Sequence, residues 1–430
     1  MSTLADRVRD VLKTPGAKRA DAPGPIGPGL HPTATLESAL GGAWRGDASC
    51  FVVESRREPA SCHGRERVGT LAEELSDAAE ELLLLAGLPA RPPLLFFDLE
   101  TTGLSGGAGT YAFLVGCGWF DEAGAFVTRQ YMLVGPAQEP AMLSSLAGEL
   151  SRAGALVSFN GRSFDAPLIE TRYLYHRLPW TGASLPHVDM LHIARRFWKR
   201  GEGVEAMAQE SGCSLVALER HLLGHRRQDD VPGVEIPQRY FQFVRSGDAG
   251  PLAPVFEHNR LDLLSLAALT ARVVRLVRAG PGGANDAREA LAIGAMYTRA
   301  GLGARALEAY ERAVELSSEV RRPSVLTESL RALAFAYRRS RQHDEAARCW
   351  RRILGVRGCS RQTALEANEA LAIHHEHRLR DLACARTFAL QSLEEGGSTA
   401  KHLAVRHRLA RIDRKLENLK CDVGSMNFEG

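Results

Sequence analysis

Residues 94–104 read LLFFDLETTGL, and the fold turns on how this stretch is read. Leu94, Leu95, Phe96 and Phe97 make an apolar run suited to a strand entering a core. Asp98 and Glu100 follow, with only Leu99 between them. Side chains alternate faces along a strand, so positions two apart project the same way. The run therefore predicts a strand that brings two carboxylates to one face at the edge of a hydrophobic sheet. Like charges held together raise each other's pKa unless a cation lies between them. The pair is either a metal site or a strand end meeting a polar turn.

Outward from this strand, the pattern between 91 and 280 mixes element types. Further strands are expected at 111–120, 126–134 and 155–160, and helices at 139–152, 165–177, 188–199 and 255–278. Strands followed by strand–helix alternation predict an α/β layer with a mixed central sheet and flanking helices. Upstream, residues 1–35 include a Pro- and Gly-dense run that reads as a disordered linker. Residues 36–90 form an extension with short strands such as SCFVVES and an amphipathic helix at 70–86.

RAGPGGAND at 278–286 breaks the chain, and 286–417 reads as helix before a tail at 418–430. Gly294, Tyr297, Ala306, Tyr310 and Ala313 recur in type and spacing as Ala334, Tyr337, Ala346, Trp350 and Ile353. Small residues let paired helices approach while aromatics fill the gaps. The double match resembles a tetratricopeptide repeat, an all-α solenoid that presents an interaction surface. A third, poorer unit spans 369–393, and a basic helix at 401–417 caps the stack.

Composition excludes several classes. At 430 residues, two or three domains are the prior. Hydrophobic content of 45% and charged content of 24% are ordinary for globular protein. A net charge of +3 permits a polyanion partner without requiring one. No apolar run spans a membrane, and the first residues lack an apolar signal core, so a cytoplasmic protein is expected. The eight cysteines are scattered without a CxxC pair, which reads as free thiols.

Two later segments supply partners for the first acids. VSFNGRSFDAPLIETRYL at 157–174 gives a strand, a turn with Asn160, and Asp165 at a helix start. EHNRLDLLSLAAL at 257–269 places His258 and Asp262 four apart on one helix face. With the order strand, helix start, helix, the chain resembles the DnaQ-like (DEDD) exonucleases of the ribonuclease H-like fold. Its DxE motif reads as Asp98-Leu99-Glu100, followed by Thr101-Thr102-Gly103. The second motif runs from Asn160 through Phe164-Asp165, and the third is His258 with Asp262. ETTGLSGGAGTYAFLVG, HVDMLHIARRFW, LERHLLGHRRQDDVPGVEIPQRY and HNRLDLLSL resemble the YprB-type branch across 91–280. In the histidine class of these nucleases the His precedes its Asp by five residues, and in the tyrosine class Tyr precedes by four. Here a His stands at the tyrosine-class spacing.

The resemblance implies a 3′–5′ exonuclease using two Mg²⁺ or Mn²⁺ ions. Asp98, Glu100, Asp165 and Asp262 would be the metal ligands and His258 the base. Thr101, Thr102, Gly103, Asn160 and Asn259 would contact the nucleic acid, DNA or RNA. Hard divalent cations favour such oxygen ligands, and imidazole titrates near neutrality. The alternative is a weak or inactive nucleic-acid-binding scaffold that holds a protein partner through its helical repeats. GGAGTYA also matches a dinucleotide fingerprint, but its continuation reads as strand, which predicts a glycine-rich hairpin instead. Asp189 reads as structural. Arg195, Arg196, Lys199, Arg200 and the basic RHLLGHRR run are candidate phosphate contacts. Singly, Asp165 could cap its helix, His258 could be a core histidine, and Asp262 a solvated acid.

Overall fold

The computed structural model describes residues 33–46, 49–103, 109–198, 213–320, 323–393 and 399–426. The expected N-terminal linker, the glycine-rich stretch 104–108, Lys199, Arg200 and the last four residues lie outside them.

One seven-stranded sheet organises the first two-thirds of the chain. Its strands are β1 (Ala43–Arg45), β2 (Cys50–Arg57), β5 (Leu94–Thr101), β6 (Ala112–Phe120), β7 (Phe126–Met132), β8 (Ala155–Ser158) and β9 (His187–Asp189). A separate two-stranded hairpin joins β3 (Cys62–His63) and β4 (Glu66–Arg67). The order across the large sheet is β1-β2-β7-β6-β5-β8-β9. Neighbours from β1 to β5 pair antiparallel, whereas β5–β8 and β8–β9 are parallel. The mixed sheet with flanking helices is the architecture the pattern predicts.

The division expected at residue 90 is crossed by the sheet. β2 pairs with β7 over seven residues, so the extension is part of the same layer. The single helix expected over 70–86 is two helices, α2 (Val68–Ser76) and α3 (Ala79–Ala86), following α1 (Thr33–Leu40). Buried Leu71, Leu75, Ala78, Leu82 and Leu85 keep a helical apolar spacing through the break, which conceals it in the sequence.

The pleat of β5 assigns its side chains to two cores. Leu95, Phe97 and Leu99 pack on one side with residues of α4 (Glu139–Leu150) and α5 (Asp165–Tyr175). Leu94 and Phe96 face the other side, with α2, α3 and α6 (Met190–Trp198). Asp98 and Glu100 continue that second face, where burial gives way to partial exposure. Next in the chain come α7 (Leu215–Leu218), which continues as a π-turn over Glu219–Leu223, and α8 (Ile236–Ser246). The 27-residue helix α9 (Ala253–Ala279), about 40 Å long, then lies across the second face.

Beyond α9 the described chain is helical: α10 (Ala287–Arg299), α11 (Gly303–Val320), α12 (Pro323–Arg339), α13 (His343–Leu354), α14 (Arg361–His374), α15 (Leu382–Gln391) and α16 (Thr399–Met426). The two sets of recurring residues fall on the hairpins α10–α11 and α12–α13. A methyl group on Gly294 would come within 2.5 Å of the Tyr310 ring, so glycine is required for that helix pair to close. Phe197, Leu276, Ile293, Tyr310, Leu333 and Trp350 belong to one continuous core. The sequence break at 278–286 is therefore a turn within a packed body.

Candidate metal centre

Asp98 and Glu100 leave the end of β5 at a cleft of about 170 Å³, which Asn160, Phe164 and Asp165 also line. Asp165 is the first residue of α5, but the N-cap is Phe164, so capping does not account for its carboxylate. Asp165 is buried at 6% exposure. Burial and the Asp189 carboxylate push its pKa up to about 7. Asp98 and Glu100 are also held well above the usual carboxylate range. For Asp98 the causes are burial, then Asp262, Glu100 and Asp165; for Glu100 they are burial, Asp262, Asp165 and Asp230. Three chain segments thus bring four carboxylates into mutual repulsion. Carboxylate oxygens are the hard donors that a divalent cation favours.

Protonation can substitute for the cation, and this gives a pH signature. A carboxyl raised in the folded state adds stability below its unfolded pKa, near 4, and that stability is lost as pH rises through the folded value. Metal-free protein is therefore expected to lose thermal stability between about pH 4 and pH 7, with Mg²⁺ restoring it at pH 8. Melting in EDTA and in Mg²⁺ across this range checks the prediction, and a flat EDTA profile would contradict it.

Asn259, expected to contact nucleic acid, lies inside the fold. It is fully buried, its Nδ2 donates to Asp98 Oδ2 at 2.7 Å, and its Oδ1 accepts from Gln130 Nε2 at 2.9 Å. Space for it comes from Gly116, which pairs with Asp98 across β5–β6. A Cβ on Gly116 would sit 2.2 Å from Asn259 Oδ1. Gly116→Ala is expected to weaken Mg²⁺ binding roughly 10–100-fold by displacing a residue that orients a ligand. Gly148→Ala, where a Cβ meets nothing within 4 Å, serves as the control in the same calorimetric titration.

Among the other expected contacts, Thr101 is buried and its hydroxyl donates to the Gly103 carbonyl at 3.0 Å. Thr102 Oγ1 accepts from the Tyr111 amide at 3.0 Å, fastening the two ends of the loop that joins β5 to β6. Asn160 is exposed with a left-handed backbone, φ +69°, and its amide donates to Asp189 Oδ1 at 2.8 Å. Asp189 also accepts from the amides of Arg162 and Leu191, so it shapes the turn ahead of Asp165. The glycine-rich loop leads into strand β6 with no following helix, which excludes the dinucleotide fingerprint.

The histidine is held by Asp230, which the sequence reading did not single out, and by Arg227, which it took for a phosphate contact. His258 Nδ1 lies 2.6 Å from Asp230 Oδ1, and its Nε2 lies 3.5 Å from Asp262 Oδ2. Arg227, within the basic run expected to meet phosphates, has a side chain only 2% exposed. Its guanidinium donates to Glu219 Oε2 at 2.7 Å, Asp262 Oδ1 at 2.5 Å and Asp230 Oδ2 at 3.3 Å. Nothing local marks Asp230 as the partner of His258, or Arg227 as a buried residue rather than a phosphate contact. They belong to a connecting segment without periodicity, where sequence does not separate a buried arginine from a solvated one.

Residues 95–274 match the protein family described as the RNase_H superfamily, and the chain belongs to that family. It is similar to the uncharacterized protein YprB of Bacillus subtilis (strain 168), at 32% identity over 329 residues, covering 75% of each chain. Among the described residues, no helix is long and apolar enough to cross a membrane.

Proposed function

We propose that this chain is a metal-dependent nuclease that releases nucleotides from 3′ ends of single-stranded DNA or RNA. The observation that carries the reading is a group of carboxylates from a strand and two helices: Asp98, Glu100 and Asp165 line one cleft, and Asp262 is near enough to raise the pKa of Asp98 and Glu100. Asp98, Glu100, Asp165 and Asp262 would hold two Mg²⁺ or Mn²⁺ ions, whose charge would relieve the repulsion that Asp98 feels from the other three. Such ions, when bound, offset charge at the phosphodiester and sharpen a water for attack.

The chain's own groups do the rest. His258 Nε2, beside Asp262, receives the proton of the attacking water. Asn259 fixes the orientation of Asp98, and Arg227 leaves Asp262 its second oxygen for the cleft. Asn160 and the Thr101-Thr102-Gly103 turn border the space where the terminal nucleotide would lie. The α10–α13 hairpins act as tetratricopeptide-like repeats that seat a protein partner.

Single strands of DNA and RNA, labelled at either end, test the proposal with Mg²⁺, Mn²⁺ or EDTA. Metal-dependent shortening from the 3′ end is expected. Release of nothing from any substrate would overturn the nuclease reading, and internal cuts would overturn its polarity.

A further inference from the structure

We infer that Asp230 is the positioning residue of His258: its Oδ1 accepts a hydrogen bond from Nδ1–H, so that the unprotonated Nε2 faces Asp262. The inference rests on the nuclease reading and deepens it by assigning the ring its tautomer.

Two contacts fix Asp230 without help from His258. The Val231 amide donates to Oδ1 at 3.0 Å, and Arg227 Nη1 donates to Oδ2 at 3.3 Å. Arg227 is in turn locked by Glu219, whose side chain is 1% exposed. The carboxylate therefore presents an acceptor to the ring from a rigid base.

Two neighbours compete for Nδ1. Asp230 Oδ1 stands at 2.6 Å, while the Arg227 Nη1 donor stands at 3.4 Å. The shorter contact decides, because an unprotonated Nδ1 would set its lone pair against a carboxylate at 2.6 Å. The proton thus belongs on Nδ1. Nε2 is left as an acceptor 3.5 Å from the acceptor Asp262 Oδ2. Two acceptors at that spacing call for a shared proton donor, a role that the attacking water would fill.

This arrangement gives the unusual motif spacing a physical basis. A tyrosine hydroxyl in this position has no tautomer to choose, whereas an imidazole does. A histidine four residues before the aspartate needs a partner for its far nitrogen, and Asp230 supplies it from another segment. A carboxylate, histidine and reacting water in line recur wherever an imidazole's second hydrogen bond sets which nitrogen reacts.

Kinetics and nitrogen NMR on the full-length protein test the assignment. Asp230→Asn and Asp230→Ala should lower kcat by roughly 10–100-fold with KM unchanged. In a His258→Ala background, Asp230→Ala should cause no further loss, because Asp230 acts only through the ring. In Mg²⁺-saturated wild type, ¹⁵N shifts of His258, assigned by its absence in His258→Ala, should show Nδ1 protonated and Nε2 bare. Additive losses in the double variant, or a proton on Nε2, would overturn the inference. If the wild type hydrolyses nothing, the nuclease reading fails by itself, and the nitrogen shifts still decide Asp230.

Discussion

Asp98→Asn should abolish hydrolysis and stabilise the metal-free protein at once. The substitution preserves shape and still accepts from Asn259 Nδ2, which lies 2.7 Å from the native carboxylate. It removes the charge that repels Glu100, Asp165 and Asp262. Loss of the shared ligand should reduce the rate at least ~10³-fold, about 4 kcal/mol in the barrier. In EDTA at pH 8 the same change should raise unfolding free energy, because it removes one of several buried charges that repel one another. Initial rates in Mg²⁺ and denaturant melts in EDTA read the two effects separately. A variant that loses rate and stability together would mean that Asp98 serves the fold and not the cation.

Arg172→Met should be the most destabilising single change outside the cleft. Arg172 and Glu139 are each 1% exposed and meet through two hydrogen bonds, at 2.6 and 2.5 Å. His176 adds a third contact to Glu139 at 2.7 Å, and the guanidinium stacks 4.4 Å over the Tyr111 ring. Removing the arginine leaves a carboxylate buried in an apolar layer, a loss of about 3–5 kcal/mol. Glu139→Gln combined with Arg172→Met should recover most of it, since two neutral groups need no mutual compensation. Denaturant unfolding of the wild type and the two variants decides the point; a double variant as unstable as the single would show that packing, not charge, dominates. The pair ties α4 to the helix that starts at Asp165, so the single variant should also weaken metal binding.

What the sequence disclosed follows from how far each signal travels along the chain. The β5 strand and its acids are legible because alternation acts over neighbouring residues. His258 and Asp262 share a face because a helix repeats every few residues. Asp165 is local too, although only its surroundings distinguish a ligand from a cap. Asp230 was not legible as a site residue, and Arg227 was read as a phosphate contact, because their roles exist only after a loop folds against α9. The burial of Asn259 was hidden for the same reason: its neighbours in sequence place it beside the motif, and only the glycine opposite Asp98 shows that it points inward. Strand β2 reads correctly as a strand, but its partner β7 lies some seventy residues later, and no periodicity connects them.

That distant pairing bears on how copies of the chain meet one another. With β2 seated on β7, the antiparallel side of the sheet ends in a three-residue strand whose side chains are largely exposed. A chain begun at residue 91 would instead present all seven residues of β7 as an open ladder, mostly apolar and free to recruit an identical neighbour. Such a fragment would be expected to polymerise edge to edge even though every acid of the cleft is present. Residues 43–57 thus keep the molecule from propagating its own sheet.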